Sequence, residues 1–219
     1  MKKLYVGFLT AMVALSLTSC STFEEVDAPQ EKLLNYKINR DAEGRYSIDF
    51  NVADNTNVES FKNITSRVNE YYLTDGVRDA KAQYREDFSL EDNAIKIGFF
   101  DANSEKNDKI TVYDKNATFA KGGDGEFLQE VSLKKNTDGT YQLDFRVSNG
   151  VKTEFKYDED LDVYEVHLSK GDATEKRFSR TLEMSDTEVL TIDFMHHKYA
   201  GKGMETVETG KPLIIVTKE

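Results

Sequence analysis

The chain has 219 residues, of which 32% are charged, and its formal net charge is -11. A protein with this much negative charge is repelled by nucleic acid and by anionic lipid surfaces. We therefore expect no nucleic-acid partner. Its single cysteine excludes a framework of disulfide bonds.

The N-terminal segment has the layout of a secretory signal. Lys2 and Lys3 precede an apolar stretch over 4–17, which is shorter than the ~20 apolar residues that span a bilayer. The tetrapeptide LTSC at 17–20 resembles the lipobox of bacterial lipoproteins, in which the cysteine thiol takes a diacylglycerol. This resemblance covers residues 1–20 only. It implies a protein anchored to a membrane by lipid on Cys20, with several acyl chains giving a firm hold.

Residues 21–33 are polar and are predicted to form a tether. Glu24 and Glu25 follow the anchor closely, as in the acidic signal that sends lipoproteins of some Gram-negative groups to the cell surface; a solvated acidic linker is the alternative. Removal of the signal with its two lysines changes the charge from -11 to -13. The expected location is the outer membrane, with exposure at the cell surface as a further expectation.

The remainder of the chain is an internal repeat. A shift of 95 residues aligns 36–124 with 131–219 without a gap and gives sixteen identities in 89 positions. The clearest match joins 41–52 to 136–147, where Gly, Tyr, Asp, Phe and Val are shared. Self-similarity at a constant offset is typical of a duplicated structural unit.

The predicted repeats span 34–125 and 126–219, with a junction near the glycines of 122–125. A copy of this length buries a marginal core by itself.

Period-two patterning predicts strands in each copy. Apolar and polar residues alternate over 46–52, as in a half-buried strand. Gly44 and Gly139 lie between two such runs, where a hairpin turn requires a positive φ. Segment 58–73 is compatible with an amphipathic helix, but its partner 153–168 reads as strand, turn and strand, so both are predicted as β. We expect seven or eight short strands in each repeat.

The predicted fold class is therefore all-β, a tandem pair of homologous antiparallel repeats. Each repeat could form its own sandwich or small meander barrel, or both could pack into one larger sheet system. Short sequential hairpins favour an up-and-down meander over a Greek key.

The clearest candidate ligands lie in the segment Met195-His196-His197-Lys198-Tyr199. Thioether, imidazole and phenolate groups bind haem or transition metals. Adjacent histidines on a strand point to opposite faces, and His167 would join them if its strand lay beside theirs. The alternative is a pair of solvent-exposed loop histidines.

A run of acids offers a candidate calcium site, since calcium prefers clustered oxygens. Asp158, Asp160 and Asp162 carry it, and 101–105 is a weaker case. The run lacks the glycine of an EF-hand loop, so a charged hairpin turn is the alternative. No cofactor is expected, with haem and calcium as open alternatives.

Three charges recur in both copies and are predicted to serve the framework, in part as cross-strand ion pairs. The equivalent positions in the two copies are Asp49 and Asp144, Glu70 and Glu165, and Arg85 and Arg180. Five tyrosines offer an aromatic platform for a ligand, although core packing is the favoured interpretation: Tyr71, Tyr72, Tyr84, Tyr164 and Tyr199.

No segment matches a nucleophile elbow, an H-E-x-x-H helix, a phosphate-binding glycine loop or a Cys/His zinc pattern. The sequence thus favours a lipid-anchored, non-enzymatic binding module that contacts an envelope protein or a glycan. The alternatives are a small-ligand or haem carrier that uses His196 and His197, a hydrolase without a recognisable motif, and a structural subunit of a surface assembly.

Overall fold

The computed structural model describes residues 29–76, 81–114, 127–200, 204–208 and 212–219. Within these ranges, residues 198–200 and 204–208 are described by their backbone only. This part of the chain contains fifteen strands and no helix, so the all-β prediction is confirmed, and none of it forms a helix fit to cross a bilayer. The strands are β1 (Leu33–Arg40), β2 (Tyr46–Val52), β3 (Thr56–Asn63), β4 (Val68–Asp75), β5 (Gln83–Phe88), β6 (Ala94–Asp101), β7 (Asp108–Tyr113), β8 (Leu128–Lys135), β9 (Tyr141–Val147), β10 (Val151–Asp158), β11 (Val163–Lys170), β12 (Arg177–Leu182), β13 (Val189–Ala200), β14 (Met204–Glu208) and β15 (Leu213–Lys218).

The fifteen strands form two sheets, and both repeats contribute to each. The six-stranded sheet has the order β12-β9-β8-β1-β2-β5, and the nine-stranded sheet has the order β10-β11-β13-β15-β7-β6-β4-β3, with β14 paired to β13. The repeats meet at two antiparallel seams, β1 with β8 and β7 with β15. The repeats therefore form one larger sheet system, and neither forms a sandwich or barrel of its own.

The preference for a meander is wrong, because the chain moves between the sheets. The hairpin β3–β4 belongs to the nine-stranded sheet, and β5 then returns to pair with β2. This crossover makes β4 and β6 parallel neighbours, and β11 and β13 repeat the arrangement. Hairpin signals in a sequence specify local pairs only, so they cannot show that a strand's second neighbour comes from elsewhere.

The core lies between the inner faces of the two sheets and is largely aromatic at its centre. Tyr36 of β1 stacks on Phe99 of β6 with ring centroids 5.7 Å apart, and Phe50 meets the same ring edge-on at 5.1 Å. In the second repeat, Phe145 meets Phe194 edge-on at 5.5 Å. Each fully buried side chain of this size contributes about 1.5–3 kcal/mol relative to its exposed state. These contacts hold the two sheets together.

The 95-residue correspondence holds for the first four strands of each repeat. Both copies have the same irregularity in the first pair, between Leu33 and Asn35 in one and between Leu128 and Glu130 in the other. The turn glycines also agree, since Gly44 has φ 78° and its counterpart Gly139 has φ 85°. The predicted β structure of 58–73 and 153–168 is confirmed.

The correspondence slips by one residue at β5 and β12. Asp49 is opposite Arg85, but its counterpart Asp144 is opposite Ser179, which is 94 residues after Arg85. Arg180 therefore has the inward phase of its strand, and its guanidinium lies 5.8 Å from the ring centre of Phe155.

The last strands differ by more. Ile110 is opposite Ile97, and Ile214 is opposite Ile192, so the structural offset there is 104 residues rather than 95. The second repeat thus contains nine additional residues, and β13 runs on to pair with β14. The alignment of Thr111 with Thr206 is consequently wrong. The predicted junction at 122–125 lies outside the described residues.

Candidate functional site

The outer face of the six-stranded sheet forms an open groove of about 1040 Å³. Strands from both repeats form its floor, so the groove crosses the seam between β1 and β8. Most of the residues that line it are polar and have the outward phase, and apolar residues such as Phe88, Phe145 and Phe178 contribute as well. The polar residues include Lys37, Asn39, Arg45, Ser47, Asp49, Arg85, Asp87, Glu130, Ser132, Asp144, Arg146, Arg177 and Ser179.

Hydrogen bonds between neighbouring strands order these side chains. Asp49 accepts from Asn39 Nδ2 at 2.8 Å and pairs with Arg85 Nη1 at 3.3 Å. In the second repeat, Asp144 accepts from Ser179 Oγ at 2.6 Å. The predicted cross-strand ion pair is thus confirmed for Asp49 and Arg85 and is wrong for Asp144 and Arg180, because of the one-residue slip at β12.

Two like charges oppose each other across the seam between β1 and β8, and one of them belongs to the groove lining. Lys37 of β1 is directly opposite Lys134 of β8, and both are exposed on the outer face. Within the described ranges neither lysine makes an ion pair or a hydrogen bond. Like charges directly opposite each other destabilise a sheet, so an anionic group placed between these two ammonium groups would be favoured.

The histidine segment forms the second half of β13. His196 faces the core, is 5% exposed and stacks on Phe127 with ring centroids 5.7 Å apart. Met195 and His197 have the opposite, outward phase. The structure therefore separates His196 from His197, as strand geometry requires. The side chain of Tyr199 lies outside the described residues.

His197 is brought to His167 instead. Strands β11 and β13 are parallel neighbours, and Nδ1 of His167 lies 2.7 Å from Nε2 of His197. The other nitrogen of His167, Nε2, lies 2.8 Å from Oε2 of Glu165. The alternation of the sequence predicts that His167 faces outward, but it cannot show that β11 is the neighbour of β13.

The acidic run forms a hairpin turn between β10 and β11. Asp158 accepts from the backbone N–H groups of Asp160 and Leu161, both at 3.0 Å. Asp162 has φ 56° and accepts from Tyr157 OH at 2.6 Å, a hydrogen bond that raises the pKa of Tyr157 to about 12. Across the described ranges, no three His, Cys, Asp or Glu side chains group as a metal site.

The weaker acidic segment also serves the backbone. Asp101 accepts from the N–H groups of Lys32 and Leu33, at 2.5 and 2.9 Å, and holds the start of β1 to the end of β6.

The tyrosines divide between core and surface. Tyr71 is buried, and Tyr84 stacks on Phe50 at 5.0 Å. Tyr72 lies on the outer face, where it stacks on Phe100 at 4.8 Å and donates from its OH to Glu70 at 2.9 Å. Tyr164 packs against the rings of its own hairpin, such as Tyr157 at 4.8 Å.

Sequence reasoning missed the groove. Its polar residues were visible as the outward phase of each strand, but which strands of the two repeats are neighbours was not. Comparisons of the chain with models of protein families, with curated proteins and with solved structures found no match. Cys20 lies outside the described residues.

Proposed function

We propose that this chain is a lipid-anchored protein of the bacterial outer membrane that binds an extended polar ligand in the groove of the six-stranded sheet. The observation that carries the proposal is the position of the groove, since a space of about 1040 Å³ lies on a rigid sheet face to which both repeats contribute. Ligand sites in proteins typically measure about 300–1,000 Å³ and have a few polar groups that fix the orientation of the ligand.

The polar lining and the opposed lysines specify the ligand further. Arginine, carboxylate and hydroxyl groups alternate along the groove, which favours a chain that donates and accepts many hydrogen bonds. Lys37 and Lys134 favour acidic groups on that chain. A glycan with acidic sugars and an acidic protein segment share this chemistry.

Photo-crosslinking in living cells tests the proposal. A benzophenone amino acid is placed at Ser47 in one repeat and at Ser179 in the other, both on the groove. We expect both positions to give the same adduct, and mass spectrometry then distinguishes a protein from a glycan. The matched control is Thr111, which has the outward phase on β7 of the opposite sheet. Adducts at Thr111 alone, or at no position, would contradict the proposal.

Charge reversal tests the acidic nature of the ligand. The double variant Lys37→Glu with Lys134→Glu keeps a like-charge pair at the seam. The sheet should therefore be about as stable in this variant as in the parent. We expect it to lose the adducts at Ser47 and Ser179. Unchanged yields would show that the ligand is not recognised through its negative charge.

The haem-carrier alternative receives less support from the geometry. A porphyrin needs an apolar slot, but the neighbours of the His167–His197 pair on this face include Glu154, Lys156 and Glu165. The large groove lies on the other sheet and includes neither histidine.

A further inference from the structure

The outer face of the nine-stranded sheet carries two imidazole rings whose nitrogens point at each other. Nδ1 of His167 and Nε2 of His197 are 2.7 Å apart, and the ring centroids are 5.0 Å apart. The second distance exceeds the first by about two ring radii, so both nitrogens lie close to the line that joins the ring centres. The 2.7 Å contact is a hydrogen bond between the two rings, so two neighbouring strands hold two ring nitrogens side by side on this face.

Glu165 fixes the orientation of one ring. Its Oε2 lies 2.8 Å from His167 Nε2, and the two side chains are only 15% and 17% exposed. When neutral His167 donates its Nε2–H to this carboxylate, its Nδ1 keeps a lone pair that faces His197. A carboxylate behind the imidazole is the arrangement that metal-binding histidines have in proteins.

The thioether of Met195 lies on the same face of the sheet and offers a third ligand of a different kind. Met195 is directly opposite His167 in the parallel register and is two residues before His197, so all three have the outward phase. Thioethers select Cu(I), and imidazole binds copper as well as zinc and nickel. Copper is therefore the metal that both ligand types favour.

The remaining side chains argue against a zinc site. Structural zinc takes four Cys or His ligands and catalytic zinc takes three protein ligands. The described part of the chain has no group of three His, Cys, Asp or Glu side chains suited to a metal. Cu(I) forms stable complexes with fewer ligands. A metal–nitrogen bond is about 2 Å long, so the two rings, which are hydrogen-bonded at 2.7 Å without metal, move apart by about 1 Å to hold the ion between them.

The first repeat shows what the framework does without these ligands. Glu70 is the counterpart of Glu165, and it accepts from Tyr72 OH at 2.9 Å. Tyr72 then stacks on Phe100 at 4.8 Å. Both repeats thus have a glutamate that is hydrogen-bonded to the side chain two residues later. The imidazole and thioether ligands occur in the second repeat alone.

We propose that His167 and His197, with Met195 as a thioether ligand and Glu165 as the positioning residue, bind one Cu(I) ion on this face. His167 binds through Nδ1 and His197 through Nε2, and the Nε2 proton of the hydrogen bond between the rings moves to Nδ1 of His197 when the metal ion takes its place. Glu154 on the adjacent strand is neutralised by Lys156, whose Nζ lies 3.3 Å from its Oε1, so the site does not depend on its charge. The site is independent of the groove, which lies on the opposite sheet.

Anaerobic competition with a chromogenic Cu(I) chelator tests the site. The full chain is purified in detergent without a histidine tag and with Cys20→Ser, because the only thiol would itself bind Cu(I). We expect one tightly bound Cu(I) per chain. His167→Gln and His197→Gln should each lower the affinity by more than the ~10–100-fold that we expect for Glu165→Gln.

Two further variants separate metal binding from a structural role. Met195→Leu keeps the side-chain volume, so it should weaken Cu(I) binding while weak Zn²⁺ binding and the urea midpoint stay unchanged. Glu154→Gln, on the same face, is the control and should keep Cu(I) affinity within about twofold of the parent. Equal Cu(I) affinity in the parent and in both histidine variants would overturn the proposal, and so would a parent that binds no Cu(I).

Discussion

Nε of Arg40 lies 2.9 Å from Oδ2 of Asp114, and both side chains are only 2% exposed. Arg40 ends β1 in the six-stranded sheet, whereas Asp114 follows β7 in the nine-stranded sheet. At the other end of β7, Asp108 pairs with Lys135, which ends β8. The central strand β7 is therefore joined to the opposite sheet at both ends, once to each repeat.

Removal of one partner of the Arg40–Asp114 pair is expected to destabilise the fold strongly. Asp114→Asn removes the carboxylate that pairs with a buried guanidinium, and Tyr46 OH also donates to Asp114 at 2.6 Å. Loss of a buried partner typically costs about 3–5 kcal/mol in the free energy of unfolding. Urea unfolding measures it. The exposed pair of Arg45 with Asp41 is the control, since Arg45→Met should cost less than about 1 kcal/mol.

The double variant Arg40→Met with Asp114→Leu distinguishes the loss of the Arg40–Asp114 charge interaction from a packing defect. It removes both charges, so it should recover part of the stability that Asp114→Asn loses. A double variant no more stable than Asp114→Asn would show that the loss does not come from the charge of Arg40.

Alkaline conditions are expected to unfold the protein through its buried tyrosines. Burial raises the pKa of Tyr36, Tyr46, Tyr71 and Tyr141 in the folded state. Their contribution to stability is complete below the unfolded-state pKa of about 10 and is lost as pH rises from there towards the folded-state pKa. Tyrosinate absorbance and circular dichroism, followed together, should change in one transition.

Tyr71→Phe tests the cause of that transition. Its hydroxyl makes no hydrogen bond in the described part of the chain, and the ring contacts with Phe50 and Phe99 are kept. We expect stability near neutral pH to stay within about 0.5 kcal/mol of the parent, as for substitutions without a structural cause of loss. Stability above pH ~10 should fall less steeply. Ionisation of these tyrosines at lower pH with unchanged circular dichroism would refute the prediction.

Equivalent glycines in the two repeats should respond differently to alanine. Gly76 and Gly171 each close a hairpin, and their N–H groups donate to Asn55 O at 2.6 Å and to Gly150 O at 2.9 Å. A Cβ on Gly76 would lie 2.6 Å from the backbone N of Asn57, whereas on Gly171 it would lie 3.1 Å from Cβ of Lys152. Gly76→Ala should cost about 1–3 kcal/mol.

Gly171→Ala is the matched control and should cost less, because it meets a side chain rather than a backbone atom. Thermal or urea unfolding of both variants decides the matter. Equal losses at the two positions would show that the close approach to Asn57 is not the cause.

Cys20→Ser tests the membrane anchor. Without the thiol no diacylglycerol can be attached, so we expect the variant to lose incorporation of radiolabelled palmitate. Phase separation in detergent should then distinguish the lipid-bearing parent from the variant. Palmitate labelling that persists in the variant would contradict the lipobox interpretation. Ser19→Ala serves as the control, since it keeps a small residue before the cysteine and should leave labelling unchanged.

Some features of the fold follow from the sequence because they are local. Alternation over 46–52 decides which side chains face the core, and Gly44 and Gly139 mark turns that need a positive φ. The repeat resolved the ambiguous segment 58–73, since its partner has clear strand parity. The same alternation by itself predicts that His196 and His197 lie on opposite faces of the sheet.

The sequence by itself thus determined the strands, the inward face of each and the duplication. Only the tertiary structure decided which strands are neighbours, because strands pair through backbone groups that are nearly the same at every residue. The seam between the repeats placed Lys37 opposite Lys134, and the parallel pair β11–β13 brought His167 to His197. Loops of unequal length shifted β12 and β15 relative to their counterparts, and a constant offset along the chain could not show this.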